Sequence, residues 1–312
     1  MTVAEVLDAP LLLSSSAIID PMIEPSPLAP WWHQAFAARA DPAATMPLDR
    51  AATLLSAHRS RFAVVPADIE TTLSDLDRLA AEAPGGAFED WHRHLFVTCA
   101  FAGNGNDYHD VRNSFLPDVL QRRLGIPISL AIVGIAVAER LGLAMWGVGM
   151  PGHFLLGYAP NAPGGVTLAG LSGRKVFHDP AETIFIDPFN GGELLDLNGV
   201  EGRYRSTFGE DKQLDYAMLA PTPDDTILVR MLANLKANYA RTRDVEGLTA
   251  VMRMRSCLPG MVLDEGRELV RLLDAVGCWD EASFSLDQLD VQNPLAVMEL
   301  GVERDRLRAR LN

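Results

Sequence analysis

Residues 125–138, Gly-Ile-Pro-Ile-Ser-Leu-Ala-Ile-Val-Gly-Ile-Ala-Val-Ala, constrain the fold more than any other stretch of the chain. Pro127 lacks an N–H and is tolerated only in the first turn of a helix, so the helix starts near Gly125. It runs to about Leu141, where Gly142 supplies the left-handed residue that ends helices. Ile128, Leu130, Ile132, Val133, Ile135 and Val137 leave no polar face, so this helix is expected at the centre of a domain. It is too short to span a bilayer.

The sequence on either side says what surrounds it. Leu48, Ala52, Leu54 and Leu55 have helical spacing, as do Ile69, Leu73, Leu76 and Leu79. Ala87 to Phe101 reads as a third helix with Trp91, Leu95 and Phe96 inward. Gly103 to Asn106 reads as a turn. After the central helix the pattern changes to short segments bounded by Pro and Gly. Met145–Val148, His153–Tyr158, Val166–Leu168, Lys175–Phe177 and Thr183–Ile186 are expected as antiparallel strands, with Asn161 to Gly165 as a hairpin loop. Helices followed by a run of strands give an α+β fold, not βαβ.

From Thr222 the chain is helical again, with Pro223 and the acids Asp224 and Asp225 in the first turn. Leu235, Tyr239, Leu248 and Met252 are matched 34 residues later by Leu269, Leu273, Ala282 and Leu286. That period is the tetratricopeptide signature, with a plain helical bundle as the alternative. The expected domains are thus a poorly ordered or loosely docked extension over 1–45, a core over 46–215, and a repeat region with a capping helix over 222–312.

Composition excludes several functions. The net charge is −14, which repels phosphate backbones and anionic membrane surfaces, so neither nucleic acid nor membrane is an expected partner. Cys99, Cys257 and Cys278 are odd in number and far apart, which fits neither a disulfide framework nor a metal site. With no basic stretch near Met1, a cytoplasmic protein is expected. No cofactor is expected: phosphate loops, dinucleotide fingerprints and HExxH are all missing.

Four short motifs stand in order: Asn113-Ser-Phe-Leu-Pro-Asp-Val-Leu120, Gly125-Ile-Pro-Ile-Ser-Leu130, Pro151-Gly-His-Phe154, and Ile186-Asp-Pro-Phe-Asn-Gly-Gly192. Thiol acyl-transfer sites place a nucleophile at a helix N-terminus, a His on a facing strand, and an Asp or Asn on the next strand to orient the His. The central helix start, His153 and Asp187 fall in that order. His153 and Asp187 are the candidate catalytic pair. Ser129, near the helix start, is the third catalytic candidate, and Asn113, Pro127 and Gly152 are candidate binding residues.

These motifs, with Tyr108, Arg122-Arg123, Arg140-Leu-Gly142 and, further on, Asn234-Leu-Lys236 and Tyr239, resemble the SirB family. Its members join a papain-type, transglutaminase-like core to C-terminal tetratricopeptide-type repeats. The resemblance covers about Leu48 to Pro294 and implies a fold rather than an activity. It has departures: Asp264-Glu-Gly-Arg267 stands where the family has an Arg-Asp-Arg-Gly-like stretch, and residues 160–175 are longer than its usual hairpin. Active transglutaminase-like enzymes carry Gly-x-Cys with Ala four residues after the Cys. On that alignment, with Gly125 and Ala131 in place, Pro127 occupies the cysteine position. The missing thiol and the repeats favour a peptide- or protein-binding or regulatory protein. The alternative is an unconventional hydrolase or acyltransferase using His153 and Asp187 with Ser129 or water. A purely structural scaffold would explain the repeats but not the clustered motifs.

Overall fold

A computed structural model describes residues 23–27, 29–40, 46–59, 66–160, 179–292 and 300–311. Its helices and strands, in chain order, are α1 (Trp31–Ala37), α2 (Leu48–Leu54), α3 (Pro66–Ala81), α4 (Phe88–His92), β1 (Ala102–Gly103), α5 (Leu116–Arg122), β2 (Leu124–Gly125) and α6 (Pro127–Arg140). They continue with β3 (Met145–Val148), β4 (Leu155–Tyr158), β5 (Ile184–Asp187), β6 (Glu193–Leu195), α7 (Leu197–Phe208), α8 (Asp224–Thr242), α9 (Val245–Ser256), α10 (Leu263–Ala275), α11 (Trp279–Gln292) and α12 (Gly301–Leu311). The described residues fall in two compact units. One takes those within 47–56 and 64–231, the other those within 1–46, 57–63 and 232–312.

The first unit is built on α6. Every side chain from Ile128 to Ala138 is buried, and each fully buried Ile, Leu or Val contributes about 1.5–3 kcal/mol over its exposed state. Pro127 sits in the first turn, and Gly142, at φ +76°, follows the last. Gly134 lets other elements come close. A Cβ there would lie 2.9 Å from Leu156 Cδ1 on β4 and 3.3 Å from the Trp91 ring. The Trp91 indole N–H donates to the Gly134 carbonyl at 3.1 Å, so the helix is held by packing and a buried hydrogen bond together.

Beside α6 lies a four-stranded antiparallel sheet in the order β3-β4-β5-β6, with Leu156 opposite Ile186 and Asp187 opposite Glu193. Trp146, Val148, Leu155, Phe185 and Val200 form a core against it. Helices followed by an antiparallel sheet make this unit α+β.

Several expectations are corrected. The third helix is α4 continued by a π-helical stretch over Arg93–Thr98, with Trp91, Leu95 and Phe96 all buried. The turn expected at Gly103 opens with a short parallel pairing, Ala102 with Leu124 and Gly103 with Gly125. The strand expected from His153 begins at Leu155. The segments Val166–Leu168 and Lys175–Phe177 and the Asn161–Gly165 loop lie outside the described residues.

The second unit is helical. The hydrophobic faces of α8 to α11 place Leu235, Tyr239, Leu248, Met252, Leu269, Leu273, Ala282 and Leu286 in its interior. Part of the expected extension is among the described residues. Residues 31–37 form α1, Trp32 and Phe36 are buried, and the Ile23 amide donates to the Ser256 carbonyl at 3.2 Å. Its aromatic residues supply the burial that its Pro- and Ala-rich composition conceals.

Candidate functional site

Gly152 and His153 lie in the turn between β3 and β4. Gly152 has φ +75°, a conformation L-residues avoid, and the His153 amide closes the turn on the Met150 carbonyl at 3.1 Å. The turn is fastened from α8 and the segment preceding it. The Gly149 amide donates to Thr222 Oγ1 at 2.8 Å, and Arg230 Nη2 reaches the carbonyls of Met150 and His153 at 3.4 and 3.3 Å.

The His153 ring meets α7: its Nε2 is 3.2 Å from Thr207 Oγ1, and that hydroxyl donates to the Arg203 carbonyl at 3.1 Å. With the Thr207 proton so used, this network assigns the imidazole proton to Nε2 and leaves Nδ1 as an acceptor. Partial burial holds the His153 pKa below the ordinary histidine value; the Asp187 charge opposes this and the Arg203 charge adds to it. The ring is a neutral base at pH 7.

Asp187 ends β5 and is 2% exposed. Its Oδ1 accepts from the amides of Phe189 and Asn190 at 3.1 and 3.2 Å, and its Oδ2 from Asn190 Nδ2 at 2.8 Å. Arg203 Nη1 lies 3.5 Å from Oδ2, and Arg203 also pairs with Glu193. The carboxylate is therefore committed to its own turn and to α7. It acts on His153 through charge, and no hydrogen bond joins the two among the described residues. The same turn is tied down at its far end, where His92 Nε2 is 2.6 Å from the Gly192 carbonyl.

The helix start carries the other expected residues. Ser129 is fully buried. Its hydroxyl lies 2.5 Å from the Asn113 carbonyl and accepts from the Ile126 amide at 3.2 Å. This is a cap of the α6 N-terminus, and among the described residues no hydrogen bond joins the hydroxyl to His153. Asn113 is equally enclosed. Its Nδ2 donates to the carbonyls of Asp107 and Tyr108 at 2.7 and 3.2 Å, and its Oδ1 accepts from Asn104 Nδ2 at 3.0 Å and from Arg122 at 3.3 Å. Asn113 shapes the 104–108 loop with its full hydrogen-bonding capacity, and none is left over for a ligand. Pro127 is half-buried at the first position of α6. Sequence reasoning missed Arg203, Thr207 and Arg230. The first two share one face of a helix at i and i+4, but no motif marks them.

The three thiols have partners elsewhere. Cys99 is 3.8 Å from His94, Cys257 is buried against the Arg253 carbonyl, and Cys278 accepts from Arg253 at 3.4 Å. Burial pushes the Cys257 thiol up to about 12. An open groove of about 380 Å³ lies between α3 and α5, lined by Leu79, Phe101, Pro117 and Leu120 with charged residues at its rim, and contains none of the candidate catalytic or binding residues. Among the described residues no cluster of metal-binding side chains occurs, and no helix is long and apolar enough to cross a membrane.

A buried central helix against an antiparallel sheet, with a His before one strand and an Asp ending the next, defines a transglutaminase-like domain. The family model of the transglutaminase-like superfamily matches residues 64–233, more than half of the chain, and the protein belongs to that superfamily. A UPF0162 protein of Xylella fastidiosa is 42% identical over 154 residues, 48% of each chain. A UPF0162 protein of Vibrio cholerae is 29% identical over 182 residues, 58% of this chain and 59% of its own. Human F-box only protein 21 is 27% identical over 212 residues, 66% of this chain but 31% of its own. The chain spans about half the length of the first curated relatives it matches. No solved structure matches it.

Proposed function

We propose that this protein is a transglutaminase-like fold without the nucleophilic cysteine, used to bind a peptide or protein segment rather than to turn one over. The single observation that carries this is the chemistry of the α6 start. Pro127, which has no reactive group, stands where the Gly-x-Cys pattern of active transglutaminase-like enzymes puts the cysteine, and the nearby Ser129 hydroxyl is spent on Asn113 and Ile126 inside the core. The SirB family assignment gains support from the position of all four motifs around one unit. A tetratricopeptide-type reading of the second unit is supported by the burial of all eight residues in the 34-residue match. Human F-box only protein 21 carries a matching stretch over 31% of its length, which fits a module that works beside other domains.

A second reading has one observation in its favour: a neutral His153 with Nδ1 available as a base and the Asp187 charge nearby. It makes the protein a hydrolase that activates water. One experiment separates the two. The protein is incubated with fluorophosphonate and iodoacetamide probes and with ester and amide substrates, and in parallel is screened against immobilised peptides. The binding reading expects no turnover, no Ser129-dependent label and saturable peptide binding. Turnover abolished by His153→Ala would sink it.

A further inference from the structure

Two of the three non-glycine residues at positive φ among those described are Ala100, at +55°, and Arg123, at +60°. L-residues avoid this conformation, and both lead into the groove between α3 and α5. Ala100 turns the chain out of the π-helical stretch Arg93–Thr98 and sets Phe101 on the groove floor. Arg123 ends α5 where glycine is usual. Its amide donates to the Val119 carbonyl at 2.8 Å, and the residue lines the groove itself. The two are tied together, since the Ala102 amide donates to the Arg123 carbonyl at 3.0 Å and Arg123 Nη1 to the Cys99 carbonyl at 3.3 Å. Strained backbone of this kind concentrates at ligand clamps. The groove it borders, about 380 Å³, lies at the small end of ligand pockets, roughly 300–1,000 Å³.

The lining has an apolar floor between rims of opposite charge. Leu79 and Phe101 are buried beneath it, and Pro117 and Leu120, the close of the first sequence motif, complete it from α5. Asp75, Arg78 and Glu82 stand on the same face of α3 as Leu79. Arg78 lies 2.7 Å from Asp75 and 3.9 Å from Glu82, so one cation is shared by two carboxylates and this rim is left negative. Arg123, on the α5 side, has no carboxylate within ion-pair distance among the described residues. Its guanidinium carbon lies 5.0 Å from the centre of the Phe101 ring. The ring takes the flat face and the Cys99 carbonyl takes Nη1. Nε and Nη2 have no acceptor among the described residues. That edge presents two parallel N–H groups, the fork a carboxylate fills.

We propose that this groove binds a peptide segment of a partner protein in which an apolar side chain stands between an acidic and a basic residue. The apolar group lies on Leu79, Phe101, Pro117 and Leu120. The carboxylate meets Nε and Nη2 of Arg123, and the cation meets Asp75 and Glu82. Charge complementarity selects this occupant: a carboxylate alone would leave the α3 rim unmatched, and a cation alone would leave Arg123 so. Side chains three or four residues apart on a helical peptide supply all three groups on one face. The proposal rests on the binding reading above, and gives it a location away from His153 and Asp187 and a sequence preference.

The test is fluorescence anisotropy of the full chain against two sets of labelled, capped dodecapeptides. The patterned set has a central Leu or Phe with a glutamate on one side and an arginine on the other, in both orders. The second set has random sequence. In the patterned set, binding is expected to weaken about tenfold or more when the central residue becomes serine. It should weaken several-fold when the glutamate or the arginine becomes glutamine. Leu120→Gln and Arg123→Gln are expected to lose most of the binding. Because the Arg123 side chain also holds the Cys99 carbonyl, Glu82→Lys, at an exposed rim position, is the variant that separates binding from folding. It should reject the original peptide and accept the one whose arginine is replaced by glutamate. Equal affinity for serine-centred peptides, wild-type affinity in a folded Leu120→Gln protein, or an unchanged preference in Glu82→Lys overturns the groove and leaves the binding reading intact. So does binding confined to the random set. Self-association of the protein without peptide, lost in Leu120→Gln, would make the occupant a second copy and also overturn the proposal. Failure of both sets to bind overturns both readings.

Discussion

The Ser129 hydroxyl lies 2.5 Å from the Asn113 carbonyl, inside the protein, and accepts from the Ile126 amide as well. It joins the loop that precedes the central helix to the first turn of that helix. Ser129→Ala removes the hydroxyl's two bonds and leaves the Asn113 carbonyl and the Ile126 amide with only their own hydrogen bond at 3.3 Å, which costs about 0.5–1.5 kcal/mol. Urea denaturation should show that loss. Peptide binding at saturating concentration should be unchanged, since the hydroxyl faces no ligand.

Gly152 is held at φ +75°, and a Cβ there would lie 3.0 Å from Thr207 Cγ2. Gly152→Ala therefore carries a backbone cost of about 1–2 kcal/mol for the left-handed conformation and pushes α7 away from the turn. The Thr207 contact of the His153 ring is expected to break with it. Histidine NMR checks this directly: the His153 resonances should shift in Gly152→Ala, while those of His94, bonded to the Leu79 carbonyl at 2.8 Å, stay in place.

How much of this was readable in the chain depends on the range of each interaction. The central helix was legible because an unbroken apolar run with Pro127 at one end and Gly142 at the other has few alternatives. His153 and Asp187 were legible as positions through their motifs, but their partners were not. Asp187 turns back on Phe189 and Asn190 two and three residues away, whereas the triad pattern looks across to the histidine. Arg203 and Thr207 arrive on a helix with no motif. The pairing of Ala102 with Leu124 is two residues long and rests on chain segments far apart, so no period announces it. Ser129 read as a possible nucleophile because its spacing put it near the helix start. Its direction is set by the Asn113 loop, which the helix pattern does not contain.

In the second unit, Arg253 and Glu281 form a two-pronged pair at 2.8 and 2.6 Å, with side chains 9% and 6% exposed. Removing one partner strands the other charge in the interior. Arg253→Met is expected to cost about 3–5 kcal/mol. The double variant Arg253→Met with Glu281→Leu should recover most of that loss, because the apolar pair has no desolvation to offset. Chemical denaturation of the two singles and the double gives the coupling.

His33 adjoins this pair and makes the second unit acid-sensitive. It is 3% exposed, and neither ring nitrogen has a hydrogen-bond partner among the described residues. Glu281 is 3.8 Å away but is committed to Arg253. Burial, and then the Arg253 charge, bring the His33 pKa down to about 3 from 6.5. Above pH 6.5 the ring is neutral folded and unfolded alike, so stability is fully present. Below 6.5 the unfolded chain takes up a proton that the folded one refuses. Stability then drains by up to ~1.4 kcal/mol per pH unit until about pH 3. Urea midpoints of the wild type and His33→Phe, measured from pH 7.5 to 4.5, should diverge in that direction, with the variant the flatter of the two. In Arg253→Met the freed Glu281 carboxylate faces the ring and raises its pKa, so the acid-sensitive window should narrow. A wild-type curve no steeper than that of His33→Phe would show that the ring takes up its proton inside the fold.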